Sequence, residues 1–229
     1  MRKTLYAALY VSVAFVASTA QASTITASFN GPVNWTSVTR TILDGPTYGL
    51  SGGPAQVFAT LLSYTGPEGT FYTYCIEPQQ GAGTGTFTID PDLLLVPGNI
   101  HPTTTLTAAK VSQIHLLFGQ APDPFDPGLS AATQAAFQIA LWEIVRETSA
   151  TLDISSGNVI FSGSSDPLAL TLAQSFLDNV SNGVGVPYGG LWGLYNADVQ
   201  DMITHNPEPA TWVMISMACL AAALAPKRS

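Results

Sequence analysis

The sequence predicts an α+β fold, an antiparallel β-sandwich or barrel-like sheet with an inserted helical lobe of two to three helices and an apolar C-terminal helix beyond it. Three observations carry that expectation. Aromatic and β-branched stretches with period-two alternation fill the N-terminal part, helical periodicity begins after Thr107, and strand-like stretches return near 158–161 and 191–195. Strands and helices that come in blocks argue against a doubly wound parallel sheet.

Strands are expected first at 24–29 and 33–39. Residues 57–64 and 71–77 follow, and the Gly66-Pro67-Glu68-Gly69 turn between them reads as a hairpin. Alternation along the second arm puts Phe71, Thr73, Cys75 and Glu77 on one face and Tyr72, Tyr74 and Ile76 on the other. Pro78 then stops the ladder. A strand at 85–89 follows the Gly- and Thr-rich run 81–86, which lacks the Lys and the helix that a phosphate loop requires.

Val111, Ile114, Leu117 and Phe118 share one helical stripe, ended by Gly119. After the Pro/Asp loop 121–128, Ser130 is a good N-cap for a second helix running to about Thr148. A third, amphipathic helix is expected over 167–180, where Leu168, Leu172, Phe176 and Val180 recur four apart. At about 100° per residue, Gln138 falls inside the apolar stripe of the second helix with Gln134, Leu141, Trp142 and Val145, while Glu143 and Glu147 point the other way. A buried primary amide costs about 1–3 kcal/mol unless it is hydrogen-bonded. Something specific must therefore face Gln138, and strand-end or loop backbone is the usual partner.

Both chain ends read as addresses. Arg2-Lys3, an apolar core at 5–17 and the small-x-small Ala20-Gln21-Ala22 form a signal peptide over 1–22, so that signal peptidase would leave Ser23 as the first residue. At the other end Pro207-Glu208-Pro209 precede an apolar run at 210–225 and the basic pair Lys227-Arg228. That order resembles the PEP-CTERM sorting tail. The resemblance implies recognition and removal by a membrane-embedded exosortase, with transient residence at the inner membrane and delivery to the envelope surface or extracellular polymer. The implied layout is a signal peptide at 1–22, a body at 23–200, a linker at 201–209, a transmembrane sorting helix at 210–226 and a basic tail at 227–229. The apolar run is short for a bilayer that wants about 20 residues, which suits a temporary stop.

Between the ends only Arg40, Lys110 and Arg146 are basic, against fourteen acids. So negative a field disfavours nucleic acid and anionic lipid as partners. The body is large enough for one domain that buries about 70% of its unfolded surface. Cys219 lies in the apolar tail, which leaves Cys75 without an intramolecular disulfide partner. A lone thiol in an exported protein is either buried and inert or chemically committed.

A strand ending in Tyr74-Cys75-Ile76-Glu77 and a later helix carrying Gln138-Ile139-Ala140-Leu141-Trp142 resemble the two halves of the bacterial surface thioester domain. The family's helix pattern is Thr-Gln-x-Ala-Ile/Val-Trp, and Phe137 stands here where Thr is usual. Thr133-Gln134, one turn earlier, supplies the Thr but not the Ala-x-Trp context. The resemblance implies that the Cys75 thiolate attacks the Gln138 carboxamide, ammonia leaves and a thioester forms. An amine or hydroxyl on a surface protein or polysaccharide would then capture the acyl group, a single-use attachment without cofactor or turnover. Tyr74, Phe137 and Trp142 would shield the bond from water. Glu77 would orient the amide or move a proton, unless it is simply a solvated carboxylate beside the turn.

Two other classes remain open. Cys75 with His115 as its base would make a hydrolase, although a helix histidine beside an apolar stripe is more often structural. His101 and His205 are scattered, with no zinc spacing. Asp90, Asp92, Asp123 and Asp126 neighbour prolines without a calcium-loop pattern. A passive matrix or carbohydrate-binding protein is the third class, and Tyr188, Trp192 and Tyr195 are its only local hint.

Overall fold

The computed structural model describes residues 23–43, 53–78, 80–93 and 106–205. The chain runs β1 (Thr24–Pro32), β2 (Thr36–Ile42), β3 (Ala55–Ala59), β4 (Leu62–Gly66), β5 (Gly69–Cys75), β6 (Gly85–Asp90), α1 (Ala108–Phe118) and α2 (Ala131–Arg146). It ends with β7 (Val159–Ser164), α3 (Pro167–Ser181), β8 (Leu191–Tyr195) and β9 (Met202–His205). The antiparallel order β1-β4-β5-β9-β8-β6 closes a barrel, and β3-β2-β7 forms a separate three-stranded sheet.

This corrects the expected fold class. One sandwich or barrel-like sheet does not accommodate all the strands, because the expected strand 57–64 is broken at Thr60 into β3 and β4, which belong to different sheets. The cause lies in a shared corner. The Val33 amide donates to the Leu61 carbonyl at 2.9 Å, and the Thr60 hydroxyl donates to the Asn34 carbonyl. The β1–β2 and β3–β4 connections therefore bend together, carrying β2 and β3 out of the barrel to meet β7. No helix among the described residues is long and apolar enough to cross a membrane. The signal peptide at 1–22, the sorting segment at 210–226 and the basic tail at 227–229 lie outside the described residues.

Helix α2 is covered on every side. Every residue from Gln134 to Arg146 is buried, Glu143 at 0% exposure among them, and so is the C-cap Glu147 at 5%. The helix is the spine of the molecule: it packs against α1, α3, β5 and all three strands of the second sheet, so no face of it is left for water. Its acids accept from loop backbone, although Glu143 Oε2 has no hydrogen-bond partner among the described residues. Glu143 Oε1 accepts the Asp153 amide at 3.0 Å, and the Glu147 carboxylate accepts from Thr148, Ser149 and Asn158. Thr107, Ser130 and Asp166 cap the three helices through their side chains.

Strand β9 fell in the expected linker. It closes the barrel between β5 and β8, with Tyr74 opposite Ile203 and Cys75 opposite Met202.

Candidate functional site

The geometry at the end of β5 follows from strand alternation. Phe71 lies across from Tyr64 on β4 and stacks on it at 5.8 Å, in a cluster that includes Phe29 and Phe87. Thr73 donates its hydroxyl to Met202 Sδ at 3.2 Å. Cys75 shares this barrel-facing side. Tyr74 points the opposite way into the helices, where its ring meets Phe118, Phe125 and Phe137 and its hydroxyl donates to the Pro124 carbonyl at 2.9 Å.

Gln138 meets Cys75 directly. Its Nε2 donates to the Cys75 carbonyl at 2.7 Å and its Oε1 accepts the Cys75 amide at 2.9 Å, both bonds buried and spanning 63 residues of chain. Ile76 donates its amide to Asp201 on the β9 side, so alternation turns the Cys75 peptide groups toward β4. There β4 has already ended, since its first residue, Leu62, pairs with Thr73. The Gln138 carboxamide thus occupies the next rung of the ladder, doing with a side chain what strand backbone does elsewhere.

The thiol itself is buried and kept in its neutral form. Burial, and next the neighbouring Glu77 charge, push the Cys75 pKa well above its ordinary value. Glu77 is raised from 4.5 to about 8, first by burial and then by the Asp201 charge, against a backbone bond from Asp201 and the pull of Arg146. Glu77 Oε2 accepts the Asp201 amide at 3.2 Å, and Gln200 donates its side-chain amide to the Glu77 carbonyl. Glu77 Oε1 has no hydrogen-bond partner among the described residues. A solvated carboxylate is therefore the wrong description of Glu77. The Tyr64 phenol is pushed up as well, by burial and then by Cys75.

The other expected residues are distributed as follows. Phe137 packs beside Tyr74, stacks on Phe118 and meets Phe176 at a tilt. Trp142, one turn beyond Gln138, stacks on Phe161 of β7 at 6.0 Å and so belongs to the second sheet. Gln134 donates to the carbonyls of Pro127 and Leu129, tying down the loop before α2 and not Cys75. The His115 ring Nδ1 bonds the Tyr188 carbonyl, and no bond joins His115 to Cys75 among the described residues. Tyr188 and Tyr195 pack against the core and Trp192 is half-buried in β8. Asp123 and Asp126 accept from the amides two residues on, as turn residues do. The tripeptide Pro207, Glu208 and Pro209, and His101, lie outside the described residues.

Reading the sequence missed Asp201 and Gln200. Both act through short contacts made just before β9, a four-residue strand whose only signal is the apolar pair Met202-Ile203. Comparison with protein-family models, with curated proteins and with solved structures gives no match to this chain.

Proposed function

We propose that the chain is an exported surface or matrix protein whose body forms an internal Cys75–Gln138 thioester for covalent attachment to an amine or hydroxyl on a partner. The observation that carries this reading is the 2.9 Å bond from the Cys75 amide to Gln138 Oε1. When the sulfur adds to Cδ of Gln138, negative charge develops on that oxygen, and a preset backbone donor in a dry site is the arrangement that stabilises it. The S–C bond forms, the C–N bond breaks, and the thiol proton leaves with the amide nitrogen as ammonia. Glu77, half-protonated near pH 8 and in electrostatic contact with the thiol, is the group to carry that proton. An incoming amine then breaks the C–S bond, returns a proton to sulfur and remains joined to Cδ as an amide.

Export rests on the sequence of the two ends. The signal peptide and the Pro-Glu-Pro tail would deliver the body through signal peptidase and exosortase to the cell envelope or its surrounding polymer.

One observation favours a second reading. Both ends of the Gln138 amide are already used by the Cys75 peptide, as in a purely structural clamp. On that reading the body is a passive matrix domain. Intact mass of the mature chain separates the two: the thioester lacks the mass of one ammonia, methylamine treatment adds methylamine across the bond, and Cys75→Ala shows neither change. A full mass together with a thiol that alkylates quantitatively after unfolding would leave only the clamp.

A further inference from the structure

Arg40 sits in the middle of β2, on the face that also carries Thr36, Val38 and Ile42. Its cross-strand neighbours are Ala55 on β3 and Phe161 on β7, and α2 packs over this sheet. The side chain is completely buried, and Nε, Nη1 and Nη2 have no hydrogen-bond partner among the described residues. No carboxylate among the described residues perturbs it. Burial, and then the charge of Arg146 in the last turn of α2, lower its pKa.

This arrangement is expensive as it stands. A guanidinium carries five donors and keeps its charge in proteins, and an uncompensated buried charge costs several kcal/mol. A second cation nearby adds repulsion. The acids of α2 and of the β5 end each hold a backbone amide, Glu143 and Glu147 in the loop and Glu77 at Asp201. Although Glu143 Oε2 and Glu77 Oε1 have no hydrogen-bond partner among the described residues, neither acid is bonded to Arg40 or perturbs it. On a face otherwise lined by Val38, Ile42 and Phe161, an apolar residue would pack without penalty.

We infer that Arg40 is the ligand of an enclosed anion site between β2 and the C-terminal end of α2, taking a monovalent anion of halide size. Enclosure sets the size, because no part of Arg40 reaches solvent. Compensation sets the charge: one added negative charge neutralises Arg40, whereas a dianion would need further donors inside the same apolar walls. The inference does not rest on the thioester reading, although the charge of Arg146 is felt by both Arg40 and Glu77.

The test uses the full chain, with melting midpoints measured in sodium chloride and in sodium gluconate at equal ionic strength. Gluconate controls for screening and is too large to enter. The expected result is a saturable upward shift in chloride that Arg40→Met abolishes. Should that variant not fold, line broadening of the chloride nucleus by the wild-type chain, and an anomalous bromide peak against the guanidinium, read the same site. Equal midpoints in both salts with no broadening or bromide peak would overturn the inference. So would a chloride response that appears only in Asp44→Asn, because Asp44 is the one acid of the body outside the described residues and would then be the native counter-ion.

Discussion

The Asp201 amide donates to Oε2 of Glu77 at 3.2 Å across 124 residues of sequence, joining the end of β5 to the start of β9. That contact brings a second carboxylate to a buried first one. Burial first, and then the like charge of Asp201, hold the proton on Glu77 to about pH 8.

The consequence for stability has a definite sign. Below the ordinary carboxylate value near 4.5 both folded and unfolded chains are protonated at Glu77, and between there and about 8 only the folded chain holds the proton. Stability therefore falls as pH rises through that window, by up to about 1.4 kcal/mol per pH unit for one such group. Glu143, raised to about 8 chiefly by burial, adds to the same fall. Urea unfolding between pH 5 and 8 should show this slope, and Glu77→Gln should flatten it in part. A stability that rises across the window would refute the assignment.

Removing the Gln138 amide leaves the Cys75 amide and carbonyl both buried and unpaired. Each lost partner costs about 1–3 kcal/mol, and the truncation adds a cavity, so Gln138→Ala should lose at least about 3 kcal/mol in denaturant unfolding. A loss below about 1 kcal/mol would mean that water or neighbouring backbone replaces the amide easily.

Much of this was legible because strong local signals agreed with the tertiary structure. Ser130 as an N-cap, the Gly66–Gly69 turn and the positions of the three helices lie where the sequence places them, but the buried stripe of α3 runs through Ala169, Ala173, Leu177 and Val180, and Leu168 of the expected stripe is exposed. The burial of Gln138 and its strand-end backbone partner also followed from helical periodicity and the cost of an unpaired amide. The division into two sheets was not legible, because nothing in residues 57–64 marks Thr60 as a corner until Asn34 is known to lie beside it. That the side of α2 carrying Glu143 and Glu147 is also covered was not legible either. Their partners are loop amides at 148–158, which carry no side-chain signal.

Gly157 marks how tightly that loop closes on α2. Its φ is +90°, and a Cβ there would meet Glu147 Oε2 at 1.8 Å. Gly157→Ala should destabilise by about 2 kcal/mol or more, through backbone strain and displacement of a carboxylate held low by its amide donors against the desolvation that would raise it. Thermal unfolding indistinguishable from the wild type would show that the loop relaxes at no cost.

Tyr74 packs among Phe118, Phe125 and Phe137 on the helical side, and its hydroxyl is held by the Pro124 carbonyl. Tyr74→Phe keeps the ring stack and leaves one buried carbonyl unpaired, so stability should drop by about 1 kcal/mol while the thioester still forms. Loss of the crosslink in this variant would instead assign the hydroxyl a direct part in the chemistry.

Peptide mapping of the mature chain, digested without reductant or added amine, tests the covalent claim most directly. The account predicts one linked species in which the peptide bearing Cys75 is joined to the peptide bearing Gln138, lighter than their sum by one ammonia. Recovery of the two peptides separately, with an intact carboxamide on Gln138 and a free thiol on Cys75, would contradict it.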